Sequence, residues 1–463
     1  MKLILKFGGS SVANATCIKN VNDIIASKLV HNKVYVVLSA FQGVTDSILE
    51  LIQTPSLPDM ISDQLGPLEE RHMRVVNELN LSQDPLLSGE LRRLFGEMQV
   101  VLTSRPDSRV ELPLWRDEML SFGERLSARI MVASLVKRGL EAEVWDARQV
   151  VLTNNEHGNA YVHYQRSYDR IRSYLKSHTK LQIITGFLGA TDAGATTTLG
   201  RSGSDYSASI FGAALNVDEI EIWTDVDGIL TANPTLVDGA RSIEHLTYEE
   251  AMELAHAGAK VIFPPTMIPA LYKRIPIRIK NTFNPSHPGS LISQERLLND
   301  QITVGLSTVS HVSLLRLQGA GMVGVKGINA RLFLCLAERG ISIMLVSQAF
   351  SEHSTCLALK PDETEEALEA IETEFARELK LKYIDKASVA SDLSLVAVVG
   401  EGMQTTPGIA GVVFEELGKE KINVEAIAQG ASGRNLSFIV RDDEVKRAIT
   451  ALHKRLFKER SAI

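Results

Sequence analysis

The last third of the chain repeats itself at a spacing of 81 residues. Each copy predicts a strand, a glycine-containing loop, a helix, two further strands and a final helix. The pattern predicts a βαββα module that occurs twice, at about 312–375 and 393–456. The identical positions include the pairs Gly319 and Gly400, Phe333 and Phe414, and Gln348 and Gln429.

Two apolar runs in each copy define its inner strands. The second strand is predicted at Ile341–Ser347 and at Ile422–Ala428. The third is predicted at Thr355–Leu359 and at Leu436–Val440. In each copy these two strands come one after the other behind a predicted helix, as expected for a small α+β module.

The first part of the chain alternates short apolar runs with amphipathic stretches. Near-continuous apolar runs are typical of parallel strands that helices cover on both faces, so this part predicts an α/β sandwich of three layers, αβα. The predicted strands are Leu3–Phe7, Val34–Ser39, Glu143–Trp145, Gln182–Thr185 and Glu219–Thr224. The predicted helices are Ile18–Leu29, Glu90–Thr103, Met119–Gly139 and Tyr206–Leu215.

Two further stretches set the predicted organisation. Residues 55–113 are helical and polar on balance, which indicates an insertion over one edge or face of the sheet. The turn-forming cluster 284–289 marks the end of the first domain. We therefore predict a first domain at 1–292 and a second domain at 293–463.

Composition narrows the class of partner. The net charge is −7 with no basic block, which argues against a nucleic acid or an anionic membrane as partner. No apolar run approaches the roughly 18 residues of a membrane span, and the N-terminus enters a strand at once, so neither an anchor nor a signal peptide is expected. Three dispersed cysteines without a CxxC pair predict neither a disulfide framework nor a metal site, and fit the cytoplasm.

The N-terminal segment Lys6–Val12, KFGGSSV, predicts a phosphate-handling loop. Two glycines after a strand let backbone N–H groups face a ligand, and the lysine at the strand end supplies a charge suited to phosphate. The lysine precedes the glycines, so the loop is not of the Walker type. An ordinary strand followed by a glycine turn remains the alternative.

Two loops place polar groups at the start of helices. Ser39 and Thr45 flank a loop after the second strand that could cradle a carboxylate or a phosphate. Glu124 lies in FGERLSA, where it could equally be a solvated helix residue. Neither signal is specific alone.

Three more motifs follow. In LGRSGSDYSA, Arg201 can bind a carboxylate through two hydrogen bonds, although the segment could also simply cap a helix. In IWTDVDG, Thr224 and Asp225 end an apolar strand at a turn that suits a nucleotide. Lys260 in GAKV adds a second lysine after a helix.

Together these motifs resemble the aspartate kinases of the amino-acid kinase superfamily, and the repeated module resembles the ACT domain. The ACT region is most similar to that of the bifunctional aspartate kinase–homoserine dehydrogenases, and with no GxGxxG segment for a second enzyme the chain is expected to be monofunctional. The motifs occur in the family's order: KFGGSSV, SAFQGVT, FGERLSA, TTTLGRSGSDYSA, IWTDVDG and GAKV.

The resemblance implies transfer of a phosphoryl group from ATP, with Mg²⁺, to the side-chain carboxylate of L-aspartate. This is the first step toward lysine, threonine and methionine. An ionised carboxylate needs no general base, so catalysis would rest on positioning and charge neutralisation.

The family pattern also implies a role for each site residue. Lys6, oriented by Asp205, would contact the transferring phosphate. Arg201 would bind the α-carboxylate of aspartate and Glu124 its ammonium. The pocket would be completed by Ser39, Thr45 and Ser204. The nucleotide would be contacted by Gly8, Gly9, Ser10, Thr224, Asp225 and Lys260.

The chain departs from the family pattern after IWTDVDG. Leu230 replaces a tyrosine, and Asn233-Pro234-Thr235 replaces an Asp-Pro-Arg-like triplet. A purine-stacking ring and a phosphate-binding arginine are thus missing, and Phe263 stands where histidine is usual. Two alternatives follow: an amino-acid sensor whose kinase site has decayed, and a related kinase that acts on glutamate or acetylglutamate.

The ACT resemblance implies feedback control by an amino acid bound at the interface of a homodimer or higher oligomer. The effector is expected to bind next to the loops Gln318–Met322 and Val399–Met403. Gln348 and Gln429 are the repeated polar residues near these loops, and an amide can both donate to and accept from a hydroxyl. Lysine-regulated relatives carry an acidic residue in the strand that here reads Ile343-Met344-Leu345. Threonine is therefore favoured over lysine, unless both glutamines merely cap strand ends.

Overall fold

The computed structural model describes residues 1–53, 61–258, 263–295, 302–351 and 353–457. The described residues form two compact units. The first comprises those within 1–229, 244–248 and 261–297; the second comprises those within 230–243, 249–260 and 298–463. Two inner segments thus group with the C-terminal part. The functional boundary after residue 292 remains a prediction.

The first unit contains an eight-stranded sheet in the order β3-β4-β2-β1-β7-β9-β10-β8 and a small hairpin of β5 and β6. Neighbouring strands are parallel except for β10 against β9. Each of the five strands predicted from the sequence is confirmed to within one residue at either end. The strands are β1 Lys2–Phe7, β2 Lys33–Leu38, β3 Ala142–Trp145, β4 Leu181–Thr185, β5 Leu188–Ala190, β6 Thr196–Thr198, β7 Glu219–Thr224, β8 His245–Thr247, β9 Ile277–Asn281 and β10 Ser290–Ser293.

Helices cover both faces of this sheet, as the continuous apolar strands predicted. α1 and α5 pack on one face, and α6, α7 and α9 form the layer on the other. The predicted insertion is helical, and α3 and α4 join the main apolar core against α5; its residues 54–60 lie outside the described part. The helices of this unit are α1 Ala15–Leu29, α2 Val44–Gln53, α3 Ile61–Glu78, α4 Pro85–Thr103, α5 Leu112–Lys137, α6 Tyr164–Tyr174, α7 Gly203–Leu215 and α9 Pro264–Lys273. All but the first residue of α8, Tyr248–His256, belongs to the second unit.

The second unit contains a six-stranded sheet in the order β12-β13-β11-β14-β16-β15. This order is symmetric about the antiparallel pair of β11 and β14, as a duplicated module requires. The strands are β11 Gly305–Gln318, β12 Leu345–Gln348, β13 Ser354–Leu359, β14 Ser388–Val399, β15 Ala426–Gln429 and β16 Asn435–Arg441. The helices are α10 Ile328–Glu338, α11 Thr364–Glu374, α12 Ala376–Lys380, α13 Ile409–Lys419 and α14 Val445–Leu456.

The predicted starts of the second strands are wrong by four residues. β12 begins at Leu345 rather than Ile341, and β15 begins at Ala426 rather than Ile422. In the first copy, the amide of Ile341 donates to the carbonyl of Leu336, and the buried Ile341 side chain closes the end of α10. The apolar residue therefore serves the helix end and not the strand.

Each module is completed by a strand from the other. β11 and β14 are long, and each bends at a residue of positive φ: His311 and Asp392, both at 57°. Beyond the bend, Gly305–Val309 pairs with the last half of β14, whereas the first half of β14 pairs with the last half of β11. The repeat by itself predicted five elements per module, whereas the resemblance to the ACT domain implies a βαββαβ-like module. The sixth element, a strand, comes from this exchange. Across the described residues, no helix is long and apolar enough to cross a membrane.

Candidate active site

The carboxyl ends of β1, β2 and β7 lie side by side and carry most of the predicted site residues. Phe7 is in register with Leu38 on one side and with Trp223 on the other. Loops that follow neighbouring parallel strands meet at the same edge of a sheet, which is where ligands bind in open α/β folds. The predicted KFGGSSV, SAFQGVT and IWTDVDG motifs therefore converge there.

Lys6 and Asp205 form a buried ion pair at this edge. The Nζ of Lys6 lies 2.6 Å from Oδ1 of Asp205, and the two residues are 7% and 8% exposed. Lys6 is the last residue but one of β1, and Asp205 lies in the first turn of α7, where the helix N-terminus favours a negative charge. The pair gives the lysine ammonium a fixed position beside the glycine loop.

The glycine loop packs closely on its neighbours. A Cβ on Gly9 would lie 3.2 Å from the carbonyl oxygen of Ala40, and one on Gly8 would lie 3.6 Å from Nζ of Lys6. The amide of Gly8 donates to the carbonyl of Trp223 at 3.1 Å, so it is already used within the sheet. The amides of Gly9 and Ser10, at the start of a short 3₁₀ turn, are the remaining candidates for contact with a phosphate.

A cavity of about 620 Å³ opens beside this loop. Its wall contains all five residues predicted to bind the substrate: Ser39, Thr45, Glu124, Arg201 and Ser204. Ser39 and Ser204 share a hydrogen bond of 2.7 Å between their hydroxyl oxygens. The Ser127 hydroxyl donates to the carbonyl of Ser39, which ties this loop to α5.

Glu124 is the buried carboxylate of the cavity. It is 4% exposed, and its Oε1 accepts the amide of Ala40 at 3.1 Å. Its Oε2 has no hydrogen-bond partner among the described residues. Burial raises the pKa of Glu124 to about 8, although the hydrogen bond from Ala40 and the charge of Lys6 act in the opposite direction. A carboxyl in this state is suited to pair with a cation that enters the cavity.

Arg201 also belongs to the wall of this cavity and lies in the loop before α7. Its guanidinium stacks over the ring of Phe263 at 5.7 Å and is exposed to solvent. No carboxylate among the described residues lies within ion-pair distance of it. The cavity thus presents a buried acid, Glu124, and an available cation, Arg201, which matches the two charged ends of an amino acid.

The predicted nucleotide residues are placed in part. Thr224 ends β7, and its hydroxyl donates to the exposed Asp225 at 3.2 Å. Lys260 lies outside the described residues. The substituted positions belong to the second unit: Asn233 Oδ1 accepts from the amide and hydroxyl of Thr235, and Leu230 forms a bridge with Ser242.

The predicted effector residues lie in the second unit. Gln348 contributes to a cavity of about 550 Å³ and accepts a hydrogen bond of 3.0 Å from Asn329. Lys326 also lines this cavity, and none of its described lining residues is acidic. The position equivalent to Asn329 in the second copy is Ala410, so Gln429 lacks the matching neighbour.

The sequence predicted no role for several other residues in the wall of the first cavity, among them Arg116, Phe187 and Thr198. Phe187 has a φ of 69°, a left-handed conformation that a bulky residue rarely adopts. It follows a glycine, and Thr198 directly precedes the LGRSGSD motif. Their proximity to recognised motifs is the only signal that could have found them.

The chain matches two known families. Residues 1–281 match the amino acid kinase family, and residues 315–375 and 396–456 match the ACT domain. The chain is 34% identical over 468 residues to bifunctional aspartokinase/homoserine dehydrogenase 2 of Arabidopsis thaliana, covering 99% of this chain and 51% of that protein. Aspartokinase 1 of the same plant is 34% identical, with 98% of this chain and 80% of that protein covered. The chain spans about half the length of the bifunctional relatives that it matches.

Solved structures agree with this result. Aspartokinase III of E. coli in complex with aspartate and ADP superimposes with a TM-score of 0.82 at 29% identity, covering 99% of this chain and 100% of that one. The same enzyme in complex with lysine and aspartate gives a TM-score of 0.80 at 30% identity, with 98% and 99% covered. The resemblance inferred from the motifs is confirmed, and the chain belongs to the aspartate kinases of the amino acid kinase family.

Proposed function

We propose that the protein transfers the γ-phosphoryl group of ATP to the side-chain carboxylate of L-aspartate, giving 4-phospho-L-aspartate and ADP. The observation that carries this proposal is the cavity with Glu124 and Arg201 in its wall, together with the buried Lys6–Asp205 ion pair, in which Asp205 directly follows Ser204 of that wall. E. coli aspartokinase III, whose chain aligns over its whole length, has been solved with aspartate and ADP.

In this proposal each residue has one task. Glu124 binds the substrate ammonium, Arg201 binds the α-carboxylate, and Ser39, Thr45 and Ser204 complete the pocket. The Lys6 ammonium, held by Asp205, faces the transferring phosphoryl group and stabilises its developing charge. The substrate carboxylate is ionised near neutral pH, so it attacks without a general base.

The nucleotide is proposed to lie along the adjacent ends of β1 and β7. Gly9 and Ser10 offer backbone amides, and Lys260 is proposed to add a charge. The exposed Asp225 fits Mg²⁺, which is commonly held by one or two carboxylates together with substrate phosphates. The ion supplies neutralisation of phosphate charge when bound.

The direct test is ADP release with L-aspartate, with L-glutamate and without an amino acid, each with and without Mg²⁺. We expect release that requires L-aspartate and Mg²⁺ together. Release that prefers glutamate would point to the related kinases instead, and none with any acceptor would overturn the proposal.

A second candidate is an amino-acid sensor without kinase activity. It is favoured by Leu230, Asn233 and Thr235, because no purine-stacking ring or phosphate-binding arginine stands at these positions and Asn233 is engaged in its own turn. This candidate predicts that the protein binds aspartate, yet releases no ADP under any of the conditions of this assay.

We further propose feedback inhibition by threonine. Gln348 and Asn329 offer amide groups to a hydroxyl, whereas Lys326 in the same cavity would repel the side-chain ammonium of lysine. The proposal places the effector at the interface of ACT modules in a homodimer or higher oligomer.

We also propose that the protein acts in the cytoplasm. The three cysteines of the chain are unpaired, which is compatible with a reducing compartment.

A further inference from the structure

Asp117 is a fully buried carboxylate outside the set of predicted site residues. It lies in α5, is 0% exposed and accepts four hydrogen bonds. Oδ2 accepts from Nδ1 of His157 at 2.9 Å, from the amide of Gly158 at 3.0 Å and from the amide of Thr198 at 3.1 Å. Oδ1 accepts the Thr198 hydroxyl at 2.7 Å. An aspartate is rarely buried so completely without such a set of donors.

The donors belong to the segment between β3 and α6 and to the end of β6, and both segments contribute to the wall of the aspartate cavity. Gly158 and Thr198 both line it. The segments also contact each other: the amide of Ala160 donates to the carbonyl of Thr198 at 3.0 Å. A Cβ on Gly200 would lie only 2.5 Å from Oδ1 of Asn159. Asp117 therefore fixes Thr198 immediately before the segment that carries Arg201.

The same helix carries the opposite end of the substrate site. Glu124 follows Asp117 by seven residues, which is two helical turns, so the two side chains lie on one face about 10 Å apart along the axis. α5 places the ammonium-binding carboxylate directly and the carboxylate-binding arginine through Asp117. One rigid element thus sets the spacing between both groups.

We propose that Asp117 is a positioning residue that sets the distance between Glu124 and Arg201, and so determines aspartate affinity without touching the substrate. This inference rests on the proposed function. Misplacement of a binding group by about 1 Å can cost about 100-fold in efficiency. We expect Asp117→Ala to raise the aspartate Kd and KM roughly 10- to 100-fold, with the KM for ATP unchanged.

Two further variants separate positioning from stability. Asp117→Asn keeps an oxygen for the backbone amides while its NH₂ donates to the Thr198 hydroxyl, so it should restore most of the aspartate affinity. Thr198→Val removes one of the four hydrogen bonds and should raise the aspartate KM less than Asp117→Ala does. Both variants remain informative if Asp117→Ala does not fold.

The matched control is Asn22→Ala. Asn22 is 1% exposed and donates to Ser134 Oγ, which is also on α5, at 2.7 Å. The Asn22→Ala substitution should lower the melting temperature of the protein without changing the KM for aspartate.

The measurements are calorimetric titration with L-aspartate, steady-state kinetics for both substrates, and thermal unfolding. The positioning role would be overturned if the wild type is active and all Asp117 and Thr198 variants keep its aspartate Kd and KM. It would also be overturned if these variants raise the KM for aspartate and the KM for ATP equally. A wild type that neither binds nor phosphorylates aspartate would instead overturn the proposed function.

Discussion

Lys6 provides the charge on which phosphoryl transfer depends in the proposed mechanism. Lys6→Met keeps the length of the side chain but removes the charge, and loss of one such electrostatic contact lowers kcat by roughly 10²–10³-fold. The change also leaves Asp205 buried without its partner, which costs on the order of 3 kcal/mol of stability. Kinetics and chemical denaturation of the purified variant measure both effects.

The double variant Lys6→Met/Asp205→Asn serves as its control. It removes the unpaired charge, so it should regain stability but not turnover. Near wild-type turnover in either folded variant would show that the loop is not the phosphate site.

Arg201 and Glu124 are expected to act on one substrate only. Arg201→Ala and Glu124→Gln each remove a charge-assisted contact to the amino acid, worth about 1.5–3 kcal/mol, which corresponds to roughly 10- to 150-fold in aspartate KM. The KM for ATP should stay near that of the wild type. Equal losses for both substrates would contradict this division of tasks.

The raised pKa of Glu124 predicts proton release when aspartate binds. With a pKa of about 8 the free protein holds the proton at neutral pH, and a bound ammonium favours the ionised form. Aspartate affinity should therefore rise by about tenfold per pH unit below pH 8 and level off above it. Calorimetry at pH 6.5 in buffers of different ionisation enthalpy measures the released proton; Glu124→Gln should release none.

Folding stability should move in the opposite direction. The folded state retains a proton that the unfolded chain loses above the ordinary pKa of 4.5, so this group lowers the free energy of unfolding as the pH rises from about 4.5 to about 8. The free energy of unfolding should be measured against pH for the wild type and for Glu124→Gln. Parallel curves of the two proteins over this pH range would contradict the raised pKa of Glu124.

Among the strands, the exchange between β11 and β14 makes the two ACT modules depend on each other. A fragment of residues 386–457 lacks the strand Gly305–Val309 that completes its sheet, so the edge of β14 would be unpaired. We expect this fragment to show no cooperative thermal transition by circular dichroism. A fragment of residues 303–457 contains both halves of the exchange and should show one; cooperative unfolding of the short fragment would refute the dependence.

The sequence predicted those elements whose signal is local. Strands such as Val34–Ser39 were found because a short, near-continuous apolar run is typical of a strand that is covered on both faces, and the polar residues that line the first cavity were found through their motifs. The strand exchange was not predicted, because a period of 81 residues does not say which half of a long strand pairs with which. Asp117 was missed because it lies between Arg116 and Glu118, where an acidic residue normally faces solvent; its donors are 40 and 81 positions away.

Taken over its full length, the chain is expected to respond to amino acids that bind in the second unit. Threonine should inhibit aspartate-dependent ADP release, and lysine should not, because the Gln348 cavity has amide groups and Lys326 but no acidic residue among those described. Gln348→Ala should weaken threonine inhibition roughly tenfold, the effect of losing about 1.4 kcal/mol of hydrogen bonding. Titrating both amino acids against both proteins measures this; inhibition by lysine alone, or threonine inhibition unaffected by Gln348→Ala, would show the assignment to be wrong.

Segment 230–243 belongs to the second unit although residues on both sides of it belong to the first. Ala232 and Val237 lie in the same apolar core as Val413 and Phe438, and the Thr231 hydroxyl shares a hydrogen bond of 2.9 Å with His453. Chimaeras joined at a single point would therefore inherit an incomplete core, since the segment and the helices that it packs against would come from different parents. Recombination between aspartate kinases should succeed only when residues 230–243 travel with the C-terminal modules.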